Sequence, residues 1–293
     1  MANSSARRVG VIGLGLMGSA LADALLDKGV ATVVWNRSAQ KSERYIDTRA
    51  TVSTSAEEAA SLADLLVVCL SDYQVSMEVL QKGSVAANLK GKILLLFSTM
   101  SSDDSLRAEE WAVRSGIRYL DGSILGYPED IRKQQCMVVY SGGKDLFESW
   151  ARELNAMGGI ARHIGDKAGI APLFDKAIYS IYYAHYLGVA HGAAMCQAMG
   201  APLDVYIESL TKYWDFASEG ALFLERIKKQ DYSVEECEMQ VHAAAFSHVV
   251  TLSEKLGIDP SLPRVISDSL TRAVNSGFDK SELPAIVEVL RKR

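Results

Sequence analysis

The sequence predicts an α/β protein in which an N-terminal sheet flanked by helices leads, through one long apolar helix, into an all-α C-terminal domain. Short apolar runs alternate with helical segments up to Gly165, where the alternation stops. No Asp, Glu, Lys or Arg occurs between Ala177 and Leu203, inside a helical pattern. The 293 residues suit two domains. We therefore expect domains at 1–165 and 166–293, with the interdomain helix at about 170–199.

Composition excludes several classes of function. The chain is 48% hydrophobic and 23% charged, with a formal charge of -5 and no long basic run, which argues against a nucleic-acid partner. Its cysteines are scattered without metal-ligand spacing, so we expect no metal site and free thiols in the reducing cytoplasm. The apolar run after Ala177 contains His185, His191 and Gln197 and lacks a flanking basic cluster, so we expect no membrane span.

The stretch RRVGVIGLGLMGSALADALLDKG, residues 7–29, predicts a strand, a tight glycine turn and a helix. In such a GxGxxG turn, the first glycine makes the turn, the second lets the backbone approach a pyrophosphate and the third lets helix pack on strand. The helix N–H groups then face the phosphate oxygens. This context predicts a Rossmann domain that binds a dinucleotide; a tight turn without ligand is the alternative. The predicted phosphate-binding residues are Gly13, Leu14, Gly15, Leu16, Met17 and Gly18.

The end of the second predicted strand indicates which dinucleotide binds. A site for NAD usually carries Asp or Glu there, to accept from the ribose 2′-hydroxyl. This chain has Asn36, Arg37 and Ser38, followed by Lys41. A guanidinium and a hydroxyl suit a 2′-phosphate, and no carboxylate repels it. We therefore expect NADPH; the alternative is an Arg37 that is only solvated.

Later segments extend both domains. Ligands bind at the carboxyl ends of strands in such sheets, so Leu70, Ser71 and Ser98 are further cofactor candidates, with ordinary strand-end residues as the alternative. The predicted strands are 9–12, 31–36, 64–72, 92–99, 117–124, 136–143 and 161–165, and the predicted later helices are 144–158, 170–199, 203–228, 234–256, 263–276 and 281–292.

Six motifs carry a resemblance to a known family: GLGLMG (13–18), VVWNRS (33–38), CLSDY (69–73), YLDGSILGYP (119–128), VVYSGG (138–143) and GDKAGIAPLFDKA (165–177). From about residue 8 to the C-terminus, the chain resembles the 6-phosphogluconate and β-hydroxyacid dehydrogenase superfamily. Within that superfamily, it resembles the imine reductases and reductive aminases.

The resemblance implies a role for residue 175 in the reaction. The acid-oxidising members carry a lysine on the interdomain helix and an asparagine four residues later, where this chain has Asp175 and Tyr179. Lys176 is about 100° further round the helix and cannot substitute by spacing alone. Imine reductases likewise carry Asp or Tyr at the lysine position. Because a carboxylate stabilises a cationic iminium and an ammonium repels it, we expect Asp175 to protonate or anchor the nitrogen, with Tyr179 hydrogen-bonding nearby.

The alternative for Asp175 is structural: it caps the helix start or pairs with a basic side chain. The loop Ser123-Ile-Leu-Gly126-Tyr127 replaces a serine-glycine-glycine loop and suits an apolar ligand. In the family, C-terminal helices of the partner subunit wall the pocket, so the resemblance implies a domain-swapped homodimer. The candidate pocket residues are Leu96, Ser123, Tyr127, Trp214, Phe216, Met239, Gln240 and His242, of which the last five have core packing as their alternative.

Together these inferences predict an NADPH-dependent imine reductase that transfers hydride from nicotinamide C4 to the C=N bond of a cyclic imine or iminium. Residues 96–100 lack an asparagine found in several imine reductases, which favours reduction of preformed imines over true reductive amination. By family analogy, Asp at position 175 accompanies R products. A β-hydroxyacid dehydrogenase or short aldehyde reductase, and a non-catalytic NADPH-binding protein, are the alternatives.

Overall fold

A computed structural model describes residues 7–291 of the chain. These residues form two compact units, the first ending at Ser180 and the second beginning at Ile181. Within the described residues, the first unit is an eight-stranded sheet with helices and the second is helical. The predicted α/β fold class with an all-α C-terminal part is therefore confirmed. The predicted domain boundary at residues 165 and 166 stays a prediction.

The sheet of the first unit is mostly parallel. Its strands are β1 (Arg8–Ile12), β2 (Ala31–Trp35), β3 (Thr51–Val52), β4 (Leu65–Val68), β5 (Ile93–Leu96), β6 (Arg118–Leu125), β7 (Cys136–Gly142) and β8 (Gly159–Gly165). The order is β3-β2-β1-β4-β5-β6-β7-β8, with only the β6–β7 pair antiparallel among them. Every predicted strand occurs; β3 was not predicted, because two residues show no periodicity. Between β1 and β4 the strand order reverses, which opens a crevice at the carboxyl ends of the strands.

Helices cover both faces of this sheet. They are α1 (Leu16–Asp27), α2 (Gln40–Glu43), α3 (Ala56–Leu62), α4 (Tyr73–Leu80), α5 (Val85–Asn88), α6 (Ser102–Arg114), α7 (Pro128–Arg132), α8 (Lys144–Ser149) and α9 (Ala151–Ala156). The single helix predicted at 144–158 is wrong, since Trp150 leaves the helical conformation between α8 and α9. Side chains of Ser55, Asp72 and Ser101 accept hydrogen bonds at the starts of α3, α4 and α6, which fixes where these helices begin.

Two hydrophobic clusters hold the first unit together, one on each face of the sheet. Strand β4 contributes to both: Leu65 and Val67 belong to one cluster, whereas Leu66 and Val68 belong to the other. All four side chains are fully buried. Successive side chains of a strand point to opposite faces, so a strand that is apolar at every position needs helices on both sides.

The second unit contains helices that the sequence located with mixed accuracy. Helix α10 (Ile170–Ala198) runs across the unit boundary and is followed by α11 (Leu203–Lys212), α12 (Phe216–Lys229), α13 (Met239–Leu256), α14 (Ser261–Ala273) and α15 (Val287–Leu290). One predicted helix, 203–228, is in fact α11 and α12. They are separate because the Asp215 carboxylate accepts from the Ser218 N–H, 3.1 Å away, and caps a new helix.

The last predicted helix, 281–292, is also shorter than expected. Its first part is a 3₁₀ turn at Leu283–Ile286 with Pro284 in the first turn, where a proline has no N–H to contribute. Residue 292 lies outside the described residues. A small core of Met239, Leu270, Ala273 and Ala285 holds this end of the second unit together. None of the helices within residues 7–291 combines the length and apolarity required to cross a bilayer.

A buried carboxylate fixes the start of α10. Asp121 on β6 is fully buried and accepts hydrogen bonds from the hydroxyls of Ser105 and Ser141 and, at 2.6 Å, from the Gly169 N–H. The Ser141 hydroxyl oxygen in turn accepts from the Ala171 N–H at 2.8 Å. Burial raises the pKa of Asp121, and the hydrogen bonds from Ser105, Ser141 and Gly169 oppose that rise. The first turn of α10 is thus tied to the sheet through β6 and β7.

We predict that Asp121→Asn destabilises the protein, because the amide nitrogen replaces one acceptor oxygen among groups that all donate. A buried donor without an acceptor lowers the free energy of unfolding by about 1–3 kcal/mol, which urea unfolding followed by circular dichroism would measure. The control is Asp47→Asn, which changes the same atoms on an exposed residue. Equal midpoints for both variants would contradict this account of α10.

Candidate active site

A cleft of about 430 Å³ opens at the carboxyl ends of β1, β2 and β4; we call it the glycine-turn cleft. Its lining residues are Gly13, Gly15, Leu16, Met17, Gly18, Trp35, Asn36, Arg37, Ser38, Lys41, Cys69, Leu70, Ser71, Val75 and Val79. All the predicted cofactor residues are among them except Leu14 and Ser98. The Leu14 side chain lies in the core, and its N–H donates to the Asn36 side-chain oxygen at 2.9 Å. Binding roles for the residues of this cleft stay a prediction.

The glycines of this cleft differ in whether a Cβ atom would fit beside them. Gly13 has φ +98, and a Cβ there would lie 2.3 Å from the Cys69 carbonyl oxygen; a Cβ on Gly18 would lie 1.8 Å from the Gly13 carbonyl oxygen. A Cβ on Gly15 would meet nothing within 4 Å. Glycines 13 and 18 are therefore required by the fold, whereas the space over Gly15 belongs to the cleft. No side chain of the described residues caps α1, so its first N–H groups suit a phosphate.

Cations mark the far end of the glycine-turn cleft. Arg37, Ser38 and Lys41 are exposed there, and the described lining residues include no Asp or Glu. Asn36 holds this end in place, since its amide nitrogen donates to the Ser38 carbonyl oxygen at 3.0 Å and its oxygen accepts from Leu14. The lining thus fits an anionic group beyond a ribose, as a 2′-phosphate requires.

The sequence did not identify four residues of this lining: Trp35, Cys69, Val75 and Val79. The two valines are four residues apart on α4, hence on one helix face, and that spacing also fits core packing. Burial raises the pKa of the Cys69 thiol to about 12, which disfavours the thiolate that a nucleophilic cysteine requires. Within residues 7–291, no group of three or more acidic, His or Cys side chains is arranged to hold a metal ion.

A second cleft, of about 220 Å³, adjoins the first one; we call it the Asp175 cleft. It shares Met17, Cys69 and Leu70 with the glycine-turn cleft. The rest of its lining comes from Phe97, Ser98, Thr99, Met100, Gly122, Ser123, Ile124, Gly126, Pro172, Asp175, Lys176 and Tyr179. The structure therefore brings the predicted pair Asp175 and Tyr179 next to the predicted cofactor residues.

Ser98 acts on the backbone between the two clefts. The Leu70 N–H donates to the Ser98 hydroxyl oxygen at 2.9 Å, and the Ser76 hydroxyl donates to the same oxygen at 2.7 Å. Ser98 itself is buried. It holds the β4–α4 loop in place from the side of the Asp175 cleft.

Asp175 is the sixth residue of α10, so it does not cap the helix start. Its side chain is only 14% exposed and accepts from Lys176, with 2.6 Å between Nζ and Oδ2. The Lys176 ammonium also lies 5.1 Å from the centre of the Tyr179 ring. The pairing alternative for Asp175 is thus present inside the cleft itself. The Lys176 side chain starts about 100° further round the helix than that of Asp175. Its four-carbon stem nevertheless brings the ammonium to the Asp175 carboxylate.

Of the other predicted pocket residues of the first unit, one lines the Asp175 cleft and two do not. Ser123 lines the Asp175 cleft. Leu96 does not, because its side chain is fully buried in the core on one face of the sheet. Tyr127 is 63% exposed and starts α7, where its N–H donates to the Asp130 carboxylate at 2.7 Å. Sequence reasoning missed Phe97, Met100 and Ile124, which give the cleft its apolar walls; their position at strand ends was the available signal.

The predicted pocket residues of the second unit are described within that unit alone. Trp214 and Phe216 are exposed and stacked, with ring centroids 5.8 Å apart. Met239 is fully buried in the core of its own unit, as the packing alternative had it. Gln240 is exposed and donates to the Glu238 carboxylate, and His242 is half-buried. A pocket role for these residues stays a prediction.

The glycine-turn and Asp175 clefts together suit hydride transfer. One of them fits a dinucleotide, and the other offers a carboxylate, a phenol and apolar walls where the two meet. Comparison with known proteins agrees with this assignment. Residues 8–165 match the family model for the NAD binding domain of 6-phosphogluconate dehydrogenase. Residues 167–292 match that for the C-terminal domain of NADPH-dependent reductive aminase-like proteins.

Individual relatives cover nearly the whole chain. An NADPH-dependent reductive aminase of Aspergillus oryzae is 25% identical over 290 residues, 97% of each chain. An imine reductase of Myxococcus stipitatus, in complex with NADP⁺, is 30% identical with a TM-score of 0.87, over 97% of this chain and all of that one. The V8 variant of that reductase, in complex with NAD⁺, is 29% identical with a TM-score of 0.89, over 98% of this chain and 100% of that one. The chain therefore belongs to the imine reductase and reductive aminase family.

Proposed function

We propose that the protein is an NADPH-dependent reductase of C=N bonds in cyclic imines or iminium ions. One observation carries this proposal: a largely buried carboxylate, Asp175, lies in a cleft with apolar side chains in its walls that adjoins the glycine-turn cleft. The Myxococcus stipitatus reductase was solved with NADP⁺, and the Aspergillus oryzae relative is named an NADPH-dependent reductive aminase. These relatives support the same cofactor and reaction class for this chain.

The residues of the Asp175 cleft have distinct parts in this reaction. NADPH supplies a hydride from nicotinamide C4. Asp175 either gives its proton to the nitrogen of a neutral imine, which leaves the carboxylate beside the iminium, or anchors as a carboxylate a nitrogen that is already positive; hydride addition at carbon then yields the neutral amine. Tyr179, one helical turn further along, hydrogen-bonds beside it. Apolar walls such as Phe97 and Ile124 keep water away, which strengthens the attraction between carboxylate and cation.

The glycine-turn cleft holds the cofactor in this proposal. The N–H groups at the start of α1 would hold the pyrophosphate in the space over Gly15, and Arg37, Ser38 and Lys41 would bind the 2′-phosphate. A preformed cyclic imine is the proposed substrate, since residues 96–100 offer no asparagine to hold a separate amine. The four cysteines are free thiols, which supports a cytoplasmic location.

We predict that Asp175→Ala lowers imine turnover about 100-fold to 10,000-fold, the usual effect of removing a positioned acid. The assay follows NADPH absorbance with 1-pyrroline and dihydroisoquinoline. Asp166→Ala, an 80% exposed acid near the start of α10, is the matched control and should leave turnover unchanged. Turnover by Asp175→Ala within twofold of wild type removes Asp175 from the mechanism.

The same assay separates the alternative functions. Activity with succinic semialdehyde or 3-hydroxyisobutyrate and none with cyclic imines identifies a β-hydroxyacid dehydrogenase or aldehyde reductase. NADPH binding without oxidation by any of these compounds identifies a non-catalytic binding protein.

We predict that Arg37→Ala raises KM for NADPH about 10-fold to 100-fold, because a charge-assisted hydrogen bond to the 2′-phosphate is lost. KM for NADH, which has no 2′-phosphate, should change less than twofold. Steady-state kinetics with both cofactors measure this difference. Arg114→Ala removes an exposed arginine that lines neither cleft and should affect neither KM.

A domain-swapped homodimer is part of the proposal. Helix α10 presents large apolar side chains to solvent, among them Ile181 and Leu187, 64% and 56% exposed. On α12, Leu222 and Leu224 are exposed as well. Apolar surface of this extent is typical of protein–protein interfaces. A second copy of the chain fits it, since identical helices bury one another's apolar faces.

We predict that Leu187→Glu yields an inactive monomer whose first unit stays folded. A carboxylate in the interface is desolvated without a partner, so dimerisation weakens while the first-unit core is untouched. Sedimentation velocity, imine turnover and thermal unfolding measure the three parts of this prediction. The control Ile46→Glu adds the same charge at an exposed apolar site of the first unit. A monomer with full activity would contradict the dimeric site.

A further inference from the structure

Lys176 lies in the Asp175 cleft without a part in the proposed reaction. Its ammonium is 2.6 Å from the Asp175 carboxylate and 5.1 Å from the centre of the Tyr179 ring. Adjacent residues on a helix do not face each other. The pair therefore forms only because the lysine stem turns back into the cleft.

The pair leaves the cleft without net charge. Among its described lining residues, Asp175 and Lys176 carry the only formal charges. A cleft without net charge gives a cation little net Coulomb attraction, and an ammonium that stays in place repels it. The carboxylate can stabilise an iminium only after the ammonium has moved.

Lys176 also occupies the place that a substrate cation requires. A carboxylate and the face of an aromatic ring are the two groups that attract an organic cation in a dry site. The ammonium of Lys176 uses both of them. It stands where the nitrogen of a bound iminium would contact Asp175 and Tyr179.

We propose that Lys176 is the resident counter-cation of Asp175, which a cationic substrate must displace and which thereby limits the preference of the cleft for charged over neutral ligands. This inference rests on the proposed function only in placing the substrate nitrogen at Asp175. The two side chains differ in freedom to move: Lys176 is 41% exposed and Asp175 14% exposed. The flexible lysine moves its ammonium into water, where it is well hydrated, and the carboxylate stays.

The test measures binding instead of turnover. The probes are the permanently charged 2-methyl-3,4-dihydroisoquinolinium ion and its uncharged analogue 2-methyl-3,4-dihydroisoquinolin-1-one. Calorimetric titrations use the full-length protein with bound NADP⁺, which cannot donate hydride. In Lys176→Gln, the Kd of the cation should fall about twofold to fivefold, the range expected for removing a partly exposed competing ion pair. The Kd of the neutral analogue should change less than twofold.

Further variants keep the result interpretable. Lys176→Met retains the apolar stem and should tighten cation binding as Lys176→Gln does, so the test survives if one variant folds poorly. Lys176→Arg keeps a cation and should not tighten it. Lys144→Gln removes an exposed lysine that lines neither cleft and should leave both Kd values unchanged. In the double variant Asp175→Asn with Lys176→Gln, the gain should vanish, because the carboxylate that the two cations share is gone.

Several outcomes would overturn the inference. Cation binding that is unchanged or weaker in both Lys176→Gln and Lys176→Met shows that the lysine does not compete. Equal changes for the charged and neutral probes show a purely structural effect, and no binding of the cation to any variant removes the shared site. Tighter cation binding without turnover of any imine supports the role of Lys176 while refuting the proposed function.

Discussion

The Asp175 cleft of the first unit depends on one buried carboxylate. Asp121 accepts from Gly169 at the start of α10 and, through Ser141, controls the Ala171 N–H as well. A carboxylate without water is stable only when donors surround it. The buried Asp121 therefore requires these donors, and it holds them in place. Since Asp175 follows Ala171 by one helical turn, the same hydrogen bonds fix where the Asp175 carboxylate stands relative to the ends of β4 and β5.

Charge is distributed unevenly over the two adjoining clefts. Arg37 and Lys41 make one end of the glycine-turn cleft positive, while the Asp175 cleft contains a compensated pair. The first arrangement suits a ligand that is always anionic, because attraction is needed at every encounter. The second suits a cationic ligand that has to displace the Lys176 ammonium from Asp175. The charge of the glycine-turn cleft thus attracts an anion, whereas the ion pair of the Asp175 cleft discriminates between ligands by their charge.

The sequence predicted well whatever depends on short, local patterns. The GxGxxG turn, the alternating strands and the long apolar helix α10 each follow from spacing within a few residues. A prediction failed where one side chain decides: Asp215 divides the helix predicted at 203–228 by capping a new helix. The sequence also could not show that the bent Lys176 side chain returns its ammonium to Asp175. Neither contact leaves a periodic signal. Leu96 was placed in the pocket by the resemblance, because several imine reductases carry an asparagine in the stretch 96–100, although the pleat turns the Leu96 side chain into the core.

Residues of the adjoining clefts that come from distant parts of the chain were harder still to predict. Phe97 follows β5 and Pro172 lies in the first turn of α10. They line one cleft because the carboxyl end of β5 and the start of α10 lie at the same edge of the sheet. No sequence period reports such a meeting. For the second unit, periodicity found most helices, but the division between core and exposed faces needed the fold: Met239 is buried and Trp214 is not.

The glycine turn has a consequence for how this fold can be altered. Gly13 and Gly18 admit no side chain because backbone oxygens already fill the space, but Gly15 has φ -72 and ψ -170, a conformation open to any residue, and empty space beside it. Gly15→Ala is therefore compatible with the folded chain and puts a methyl group into the space proposed for the pyrophosphate. In the proposed site, folding and nucleotide binding are controlled by different glycines of one turn.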